Sequence, residues 1–411
     1  MCCAFSVRVP RGVTVNGCDV GGLTVGAAKR LLRRQVADRL KQKELRIFSD
    51  ERVYGFAYPE IDFVDGFDDV LTGAVKGGEY SAPVHFYLNG AEEIADNICA
   101  DVYRAPVEPY ATFNTDGEPF TYYCGSDGAE CDRRKLLDDI SFSLNSTDGW
   151  DNGCAFADVS ICTHALPRRT TAESVRDATV RLCSFTTYFD GDNFDRSANI
   201  RLAAQKINGT VLQSGEIFSF NGTVGARTEA NGFKQAKIIE NGKFVVGYGG
   251  GVCQVSTTLY NAALLSGLGI EEYHPHSLQV SYVAPSRDAM VSGNYFDLKF
   301  KNNRLTPIYV RVKCTLSSVT CTVYGQSDGY EYSFLSRVEE NIPRPPAVVV
   351  KGGEDKIISY GRDGLKSEGY LVRRGKDGEE CELIRKDKYL AVADVVQQTD
   401  APDGDKPEII N

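Results

Sequence analysis

The sequence predicts a multidomain, sheet-rich α+β protein, and three observations carry that expectation. Its 411 residues exceed what one hydrophobic core ordinarily organises, so two to four domains are expected. Gly, Tyr, Phe and Val recur throughout, with 40 Gly, 21 Tyr and 20 Phe, a balance that favours strands and turns over helical bundles. Short stretches with apolar residues at every fourth position interrupt the strand-like runs, each opened by a capping residue.

The amino-terminal stretch begins with Gly12-Val13-Thr14-Val15-Asn16-Gly17, a strand running into a turn. Gly22-Leu23-Thr24 follows, with Thr24 as N-cap of a helix that keeps Ala28, Leu32 and Val36 on one face. A second stretch repeats the plan: Pro119-Phe120-Thr121-Tyr122-Tyr123 reads as a strand, and Asp132 caps a helix striped by Leu136, Ile140 and Leu144. The chain divides accordingly into residues 1–84, 85–180, 181–328, 329–398 and a tail at 399–411.

From Phe185-Thr186-Thr187-Tyr188 onward the pattern sharpens. Arg196-Ser197-Ala198-Asn199-Ile200 leads into a helix through Ala203 and Ile207, closed by Asn208-Gly209, residues suited to left-handed backbone. After Phe218-Ser219-Phe220-Asn221 and a glycine turn, Gly249-Gly250-Gly251, residues 254–266 suit a helix with Val255, Leu259 and Ala262 inward and Gly267 as its stop. Cys253 then falls at the helix N-terminus. Beyond 329, Asn341-Ile342-Pro343-Arg344-Pro345-Pro346 is an extended spacer, because proline fixes φ and removes a donor. Arg362-Asp363-Gly364 and Lys376-Asp377-Gly378 read as hairpin turns, and the acidic stretch from Thr399 to Asn411 as a disordered tail.

A formal charge of −10 with no compensating basic stripe disfavours nucleic acid as a partner, because that affinity rests on Lys and Arg neutralising phosphates. The apolar start, Met1 to Val7, is far shorter than the ~20 residues that span a bilayer. Either a leader was removed or none exists, and an upstream membrane anchor absent from this sequence is compatible with both. Thirteen cysteines are many for a cytosolic chain. Cys314 and Cys321 flank a hairpin-like segment, and Cys124 with Cys131 and Cys154 with Cys162 are similarly spaced for pairing in an oxidising compartment. Reduced, buried thiols fit the same positions equally well.

The run from Tyr248 to Leu265 continues into Ser266-Gly267-Leu268-Gly269-Ile270. Together with Asn221-Gly222-Thr223-Val224-Gly225-Ala226-Arg227-Thr228 and His276-Ser277, it resembles the VanW family, over residues 181–328. Val15-Asn16-Gly17 with Gly22-Leu23-Thr24, and Pro109-Tyr110-Ala111-Thr112-Phe113 leading to Leu136-Leu137-Asp138-Asp139-Ile140, resemble the peptidoglycan-binding domain found ahead of VanW-like domains and of some L,D-transpeptidases. Residues 329–398 look like a G5-type β module, on the turn pattern and Tyr389 through Val396. These resemblances imply an extracytoplasmic protein of the bacterial cell envelope with peptidoglycan or a wall peptide as partner, and they imply no cofactor.

At a helix N-terminus the unpaired N–H groups and the dipole favour a thiolate at Cys253 and offer donors to an oxyanion. A thiolate nucleophile needs a base and a group to orient that base. His274-Pro275-His276 and Asp288 lie downstream, and two strands, one over Ser277–Val283 and one holding Asp288, would turn both groups toward the helix start. That order resembles the transglutaminase or papain type, with an N-terminal cysteine helix packed on an antiparallel sheet. It implies acyl-transfer or amide-cleaving chemistry with Cys253 as nucleophile, His276 as base and Asp288 as its orienting carboxylate. Asn221, Arg227, Gly250, Gly251 and Gln254 are the candidates for substrate contact. Two other readings stay open: Cys253 as a small residue in a tight turn of a non-catalytic wall-binding or scaffolding protein, and a metal site from Cys253, His274 and His276. The latter lacks a fourth ligand, so no metal is assigned.

Overall fold

The computed structural model describes residues 7–146, 156–240, 243–293 and 295–399. Cys154 and the tail from residue 400 fall outside these, and with them the expectations of a Cys154–Cys162 pair and of a disordered end. The fold is mixed α+β with strand outweighing helix, 40% against 23%. The chain forms two compact units, Met1–Glu108 with Gly125–Arg169, and Pro109–Cys124 with Thr170–Asn411.

In the first unit the expected caps are in place. Thr24 accepts the Ala27 N–H at 3.3 Å and opens the helix Val25–Leu40, which buries Ala28, Leu32 and Leu40. Asp132 accepts the Lys135 N–H at 2.9 Å and opens Arg133–Asn145, which buries Leu136, Ile140 and Leu144. A side-chain cap of this kind is worth about 1 kcal/mol. The second helix shares one core with Leu40, Leu45, Ile47, Ile61 and Phe63. The strand Phe156–Ser160 pairs in parallel with Glu44–Phe48, so residues on both sides of the expected boundary at 84 build a common interior.

The Pro119–Tyr123 run is a strand, Phe120–Tyr123, but it belongs to the second unit. It pairs with Tyr110–Phe113, sets the Phe120 ring edge-on to Tyr309 and Tyr324 at 5.1 and 5.5 Å, and is anchored by the buried Arg311, which donates to the carbonyls of Thr115 and Gly117 at 3.0 and 2.8 Å.

An antiparallel four-stranded sheet organises the second unit, in the order Val180–Tyr188, Ser318–Gly325, Ile308–Cys314, Thr210–Leu212. Two helices, Phe194–Ile207 and Val252–Leu264, pack on it and on each other. Alternate strand residues, Val319, Cys321 and Val323 facing Ile308, Val310 and Val312, meet Ile200, Ala203, Val255 and Leu259 in one core, as the two-residue strand period and the helical stripe require. Ile217–Ser219, Lys299–Lys301 and Gly269–Glu272 form a smaller sheet.

The turn expected at Lys376–Gly378 joins Gly364–Gly375 to Gly378–Tyr389 with Gly375 opposite Gly378, and Glu331–Ile342 completes that three-stranded sheet. The Arg362–Gly364 segment is not a hairpin. The preceding strand, Lys356–Ser359, pairs with Val395–Gln398 instead, so these residues pass from one sheet to another.

Among the described residues Cys18, Cys99, Cys131, Cys162, Cys183, Cys253, Cys314, Cys321 and Cys381 are free thiols. The ladder sets Cys314 opposite Val319 and Cys321 opposite Val312, which leaves the two thiols diagonal to each other. Cys131 is buried near Cys99 and Cys162, whereas Cys124 is exposed. No helix among the described residues is long and apolar enough to cross a membrane.

Candidate active site

The helix Val252–Leu264 starts two residues earlier than its sequence pattern indicated, with Gly251 as N-cap at φ 102. Its end at Gly267 (φ 71) is as expected, the Leu268 N–H returning to Ala263 O at 3.2 Å. Cys253 is therefore the second helical residue, and among the described residues no acceptor takes its N–H.

The glycines ahead of it make room for the protein's own side chains. A Cβ on Gly249 (φ 84) would lie 2.8 Å from Cβ and Cγ of Arg227. One on Gly250 would lie 2.7 Å from the Lys237 carbonyl oxygen, and one on Gly251 2.9 Å from Arg196 Cγ. Gly250 and Gly251, read from sequence as substrate contacts, thus pack inward.

Polar residues on this buried helix fix the segment that carries the other candidate groups. Ser256, Thr257 and Asn261 are fully buried. Ser256 Oγ donates to Ala289 O at 2.6 Å, the Ala289 N–H donates to Thr257 Oγ1 at 3.0 Å, and Asn261 Nδ2 donates to Arg287 O at 2.8 Å. The Met290 N–H donates to His274 O at 2.7 Å. His276 and Asp288 accordingly lie on an irregular connection, with no strand between Glu272 and Lys299 among the described residues. The two strands expected here are absent because backbone groups that would form a ladder bond to helix side chains, and Pro275 and Pro285 bring no N–H.

The three candidate catalytic groups nevertheless meet. His276 Nδ1 lies 2.7 Å from Asp288 Oδ2, which also accepts the His276 backbone N–H at 2.7 Å. The imidazole also acts on the Cys253 thiol, whose sulfur lies 3.3 Å from Val291 O. His276 and Asp288 are buried, at 4% and 1% exposure, while Cys253 is half-buried, so it is the least enclosed of the three.

Sequence reasoning missed the groups that hold Asp288 from behind. Tyr389 Oη donates to Asp288 Oδ1 at 2.6 Å and accepts the Ser286 N–H at 2.8 Å. Arg385 donates from Nη1 to the Asp288 carbonyl at 2.8 Å and from Nε to Asp387 at 2.6 Å, with its guanidinium over the Tyr260 and Tyr273 rings. Ser286, at φ 60, is a non-glycine residue in left-handed backbone, and Ser367 steadies its hydroxyl at 2.8 Å. A signal existed: Arg385, Asp387 and Tyr389 alternate along one strand and share its buried side.

Charge follows from this geometry. Burial pushes the Cys253 thiol up, but the hydrogen bond and charge of His276, the Val291 backbone contact and the Arg227 charge outweigh it and bring the thiol below its ordinary 9.0. Burial likewise opposes the imidazolium, yet Asp288 and then Cys253 raise His276 to about 9. Burial also opposes the Asp288 carboxylate, and His276, Arg385 and Tyr389 hold it below the ordinary range. Both shifts favour the thiolate and the imidazolium, the forms suited to nucleophilic attack.

Around the sulfur, Arg227 Nη2 donates to Asn221 Oδ1 at 2.6 Å, and Asn221 is tied to Asp297 Oδ1 and Phe296 O at 2.8 and 2.9 Å. Asn221 and Arg227 line a cavity of about 290 Å³ with Gly225, Ala226, Tyr248 and Gly293. Gln254 is not available to a substrate. It is 1% exposed, donates to Thr187 Oγ1 and Tyr188 O at 3.0 and 2.8 Å, and accepts from Arg196 at 2.7 Å. His274 pairs with Glu272 at 3.0 Å and lies against the Phe296 ring. The Cys253–His274–His276 ligand set is thus not assembled, and among the described residues no group of three His, Cys, Asp or Glu is arranged to hold a metal ion.

Residues 195–324 match the family model described as VanW like protein. The chain is 41% identical over 174 residues to "Uncharacterized protein YoaR" of Bacillus subtilis, covering 42% of this chain and 55% of the relative. It is 32% identical over 111 residues to "Vancomycin B-type resistance protein VanW" of Enterococcus faecalis, covering 26% of this chain and 40% of the relative. The chain therefore spans about half the length of the curated relatives it matches, and no solved structure matches it. The chain carries a VanW-family domain at residues 195–324 and is homologous to YoaR and VanW.

Proposed function

We propose that this protein is a cysteine-dependent acyltransferase or amidase of the bacterial cell envelope, acting outside the cytoplasm on peptides of peptidoglycan. The observation that carries this reading is the convergence of Cys253, His276 and Asp288, with His276 held by Asp288 at 2.7 Å and its imidazole acting on the Cys253 thiol. Cys253 Sγ adds to an amide carbonyl, and the oxyanion that forms faces the Cys253 N–H and the positive end of the helix. As the C–N bond breaks, His276 delivers its proton to the departing amine. Water or a second amine then attacks the thioester, His276 takes its proton, and the thiolate is regenerated. Asp288 keeps the imidazole in one tautomer throughout.

A helix-borne cysteine on an antiparallel sheet supports the comparison with the transglutaminase or papain arrangement, while histidine and aspartate supplied by an irregular connection set this site apart from it. The wall as substrate is supported by the resemblance of the amino-terminal and carboxy-terminal stretches to wall-binding modules, and by the name of one relative, which ties that protein to vancomycin resistance. On this reading the flanking modules hold the chain on peptidoglycan. Incubation of the protein and of its Cys253→Ala variant with peptidoglycan fragments tests the proposal. Mass spectrometry should show a cleaved or exchanged amide only with the native cysteine, and identical fragment masses from both proteins would overturn it.

A further inference from the structure

Two guanidinium groups reach the surroundings of Cys253, and the mechanism above uses neither directly. Both act electrostatically on the sulfur, and among the described residues neither forms an ion pair with a carboxylate. Arg196 donates to the Gln254 amide oxygen at 2.7 Å and Arg227 to the Asn221 amide oxygen at 2.6 Å. Asp297, the carboxylate acting on Arg227, is occupied elsewhere: it accepts from Ser219 Oγ at 2.6 Å and from the N–H groups of Asn221 and Leu298 at 2.8 Å each.

The backbone is shaped to admit these cations. Gly249 and Gly251, both at positive φ, are the residues whose missing Cβ atoms would strike Arg227 and Arg196. Burial works against each charge, and a guanidinium has five donors, of which the neutral amides engage few. Arg227 also lines the cavity whose wall includes Gly293, two residues beyond the carbonyl of Val291 that meets the sulfur. A half-desolvated guanidinium with spare donors in a cavity wall is best satisfied by a planar anion, which it grips at two points.

We infer that Arg227, seconded by Arg196, reads a carboxylate on the substrate, so that the site selects acyl substrates bearing a free carboxylate close to the carbonyl under attack. The inference rests on Cys253 being the nucleophile.

Two alkylating probes that differ only in charge test it: iodoacetate, with a carboxylate one bond from the attacked carbon, and neutral iodoacetamide. In both reactions the sulfur displaces iodide. Rates are followed on the Cys253 peptide by mass spectrometry at neutral pH, with an unstructured cysteine peptide as reference. The iodoacetate-to-iodoacetamide ratio should exceed the reference ratio by about tenfold, the size of one charge-assisted contact. It should fall back toward the reference in Arg227→Gln and retain part of the excess in Arg227→Lys, which keeps the charge and loses the fork. The ratio cancels any change in thiol acidity common to both probes. A reference-like ratio in the wild type overturns the inference while leaving the nucleophile intact. So does a raised ratio that survives in both Arg227→Gln and Arg196→Gln, which would assign the preference to the His276 imidazolium. Failure of both probes to modify Cys253 would instead sink the nucleophile reading, and this inference with it.

Discussion

Replacing Asp288 by asparagine removes one charge from the site while keeping nearly the same shape. His276 is raised from 6.5 to about 9 against the opposing effect of burial. At about 1.36 kcal/mol for each pKa unit, its surroundings favour the imidazolium by about 3 kcal/mol net. The hydrogen bond to the Asp288 carboxylate is the largest favourable contributor to that rise, so losing the carboxylate should cost on the order of 2 kcal/mol, roughly 30-fold in the population of the thiolate–imidazolium pair. The assay is the rate of Cys253 alkylation by iodoacetamide from about pH 5 to pH 10, with folding verified by near-ultraviolet circular dichroism. In the native protein the midpoint of the rate profile should lie below the ordinary thiol pKa of 9.0. In Asp288→Asn the rate at pH 6.5 should fall roughly 30-fold, with the midpoint moving up toward 9, because the burial that opposes the thiolate remains. An unchanged midpoint in a folded variant would refute the coupling of Asp288 to Cys253 through His276.

Three further outcomes follow from the same geometry. Tyr389→Phe removes the hydroxyl that bonds Asp288 and the Ser286 N–H, leaving a buried donor unmet, and should lower the unfolding free energy in urea by about 1–3 kcal/mol. Gly251→Ala places a Cβ 2.9 Å from Arg196 at φ 102 and should cost roughly 1–3 kcal/mol in the same assay. The third concerns pH. The raised His276 contributes stability in full below pH 6.5 and loses it as pH rises through about 9, whereas the depressed Cys253 thiol gains its contribution as pH rises toward 9.0. The two offset one another in the native protein, so Cys253→Ala should lose stability relative to it between pH 6.5 and 9, and parallel urea midpoints across that range would contradict the linkage.

Local features were legible in the sequence. Thr24, Asp132 and Gly267 act where their chemistry places them, because caps depend on neighbours three or four residues away. Cys253 at a helix start could be read for the same reason. Gln254 was misread because a polar residue in a first helical turn usually faces water, and here the packing of Phe194–Ile207 against the Cys253 helix closes over it. The strands expected around His276 and Asp288 failed because Ser256, Thr257 and Asn261 claim the backbone groups a ladder would use, a competition visible only once helix and connection are adjacent. Arg385 and Tyr389 lie about a hundred residues beyond Asp288 in the chain, and no local pattern connects strand residues to a carboxylate that far away.

The most direct test is to trap the intermediate: the protein is mixed with peptidoglycan fragments, quenched in acid within seconds, and its intact mass and Cys253 peptide are measured. An added acyl mass on Cys253, released by hydroxylamine and absent from Cys253→Ala, is the predicted result. Fragment turnover with no adduct on Cys253, or turnover that persists in Cys253→Ala, would contradict the account.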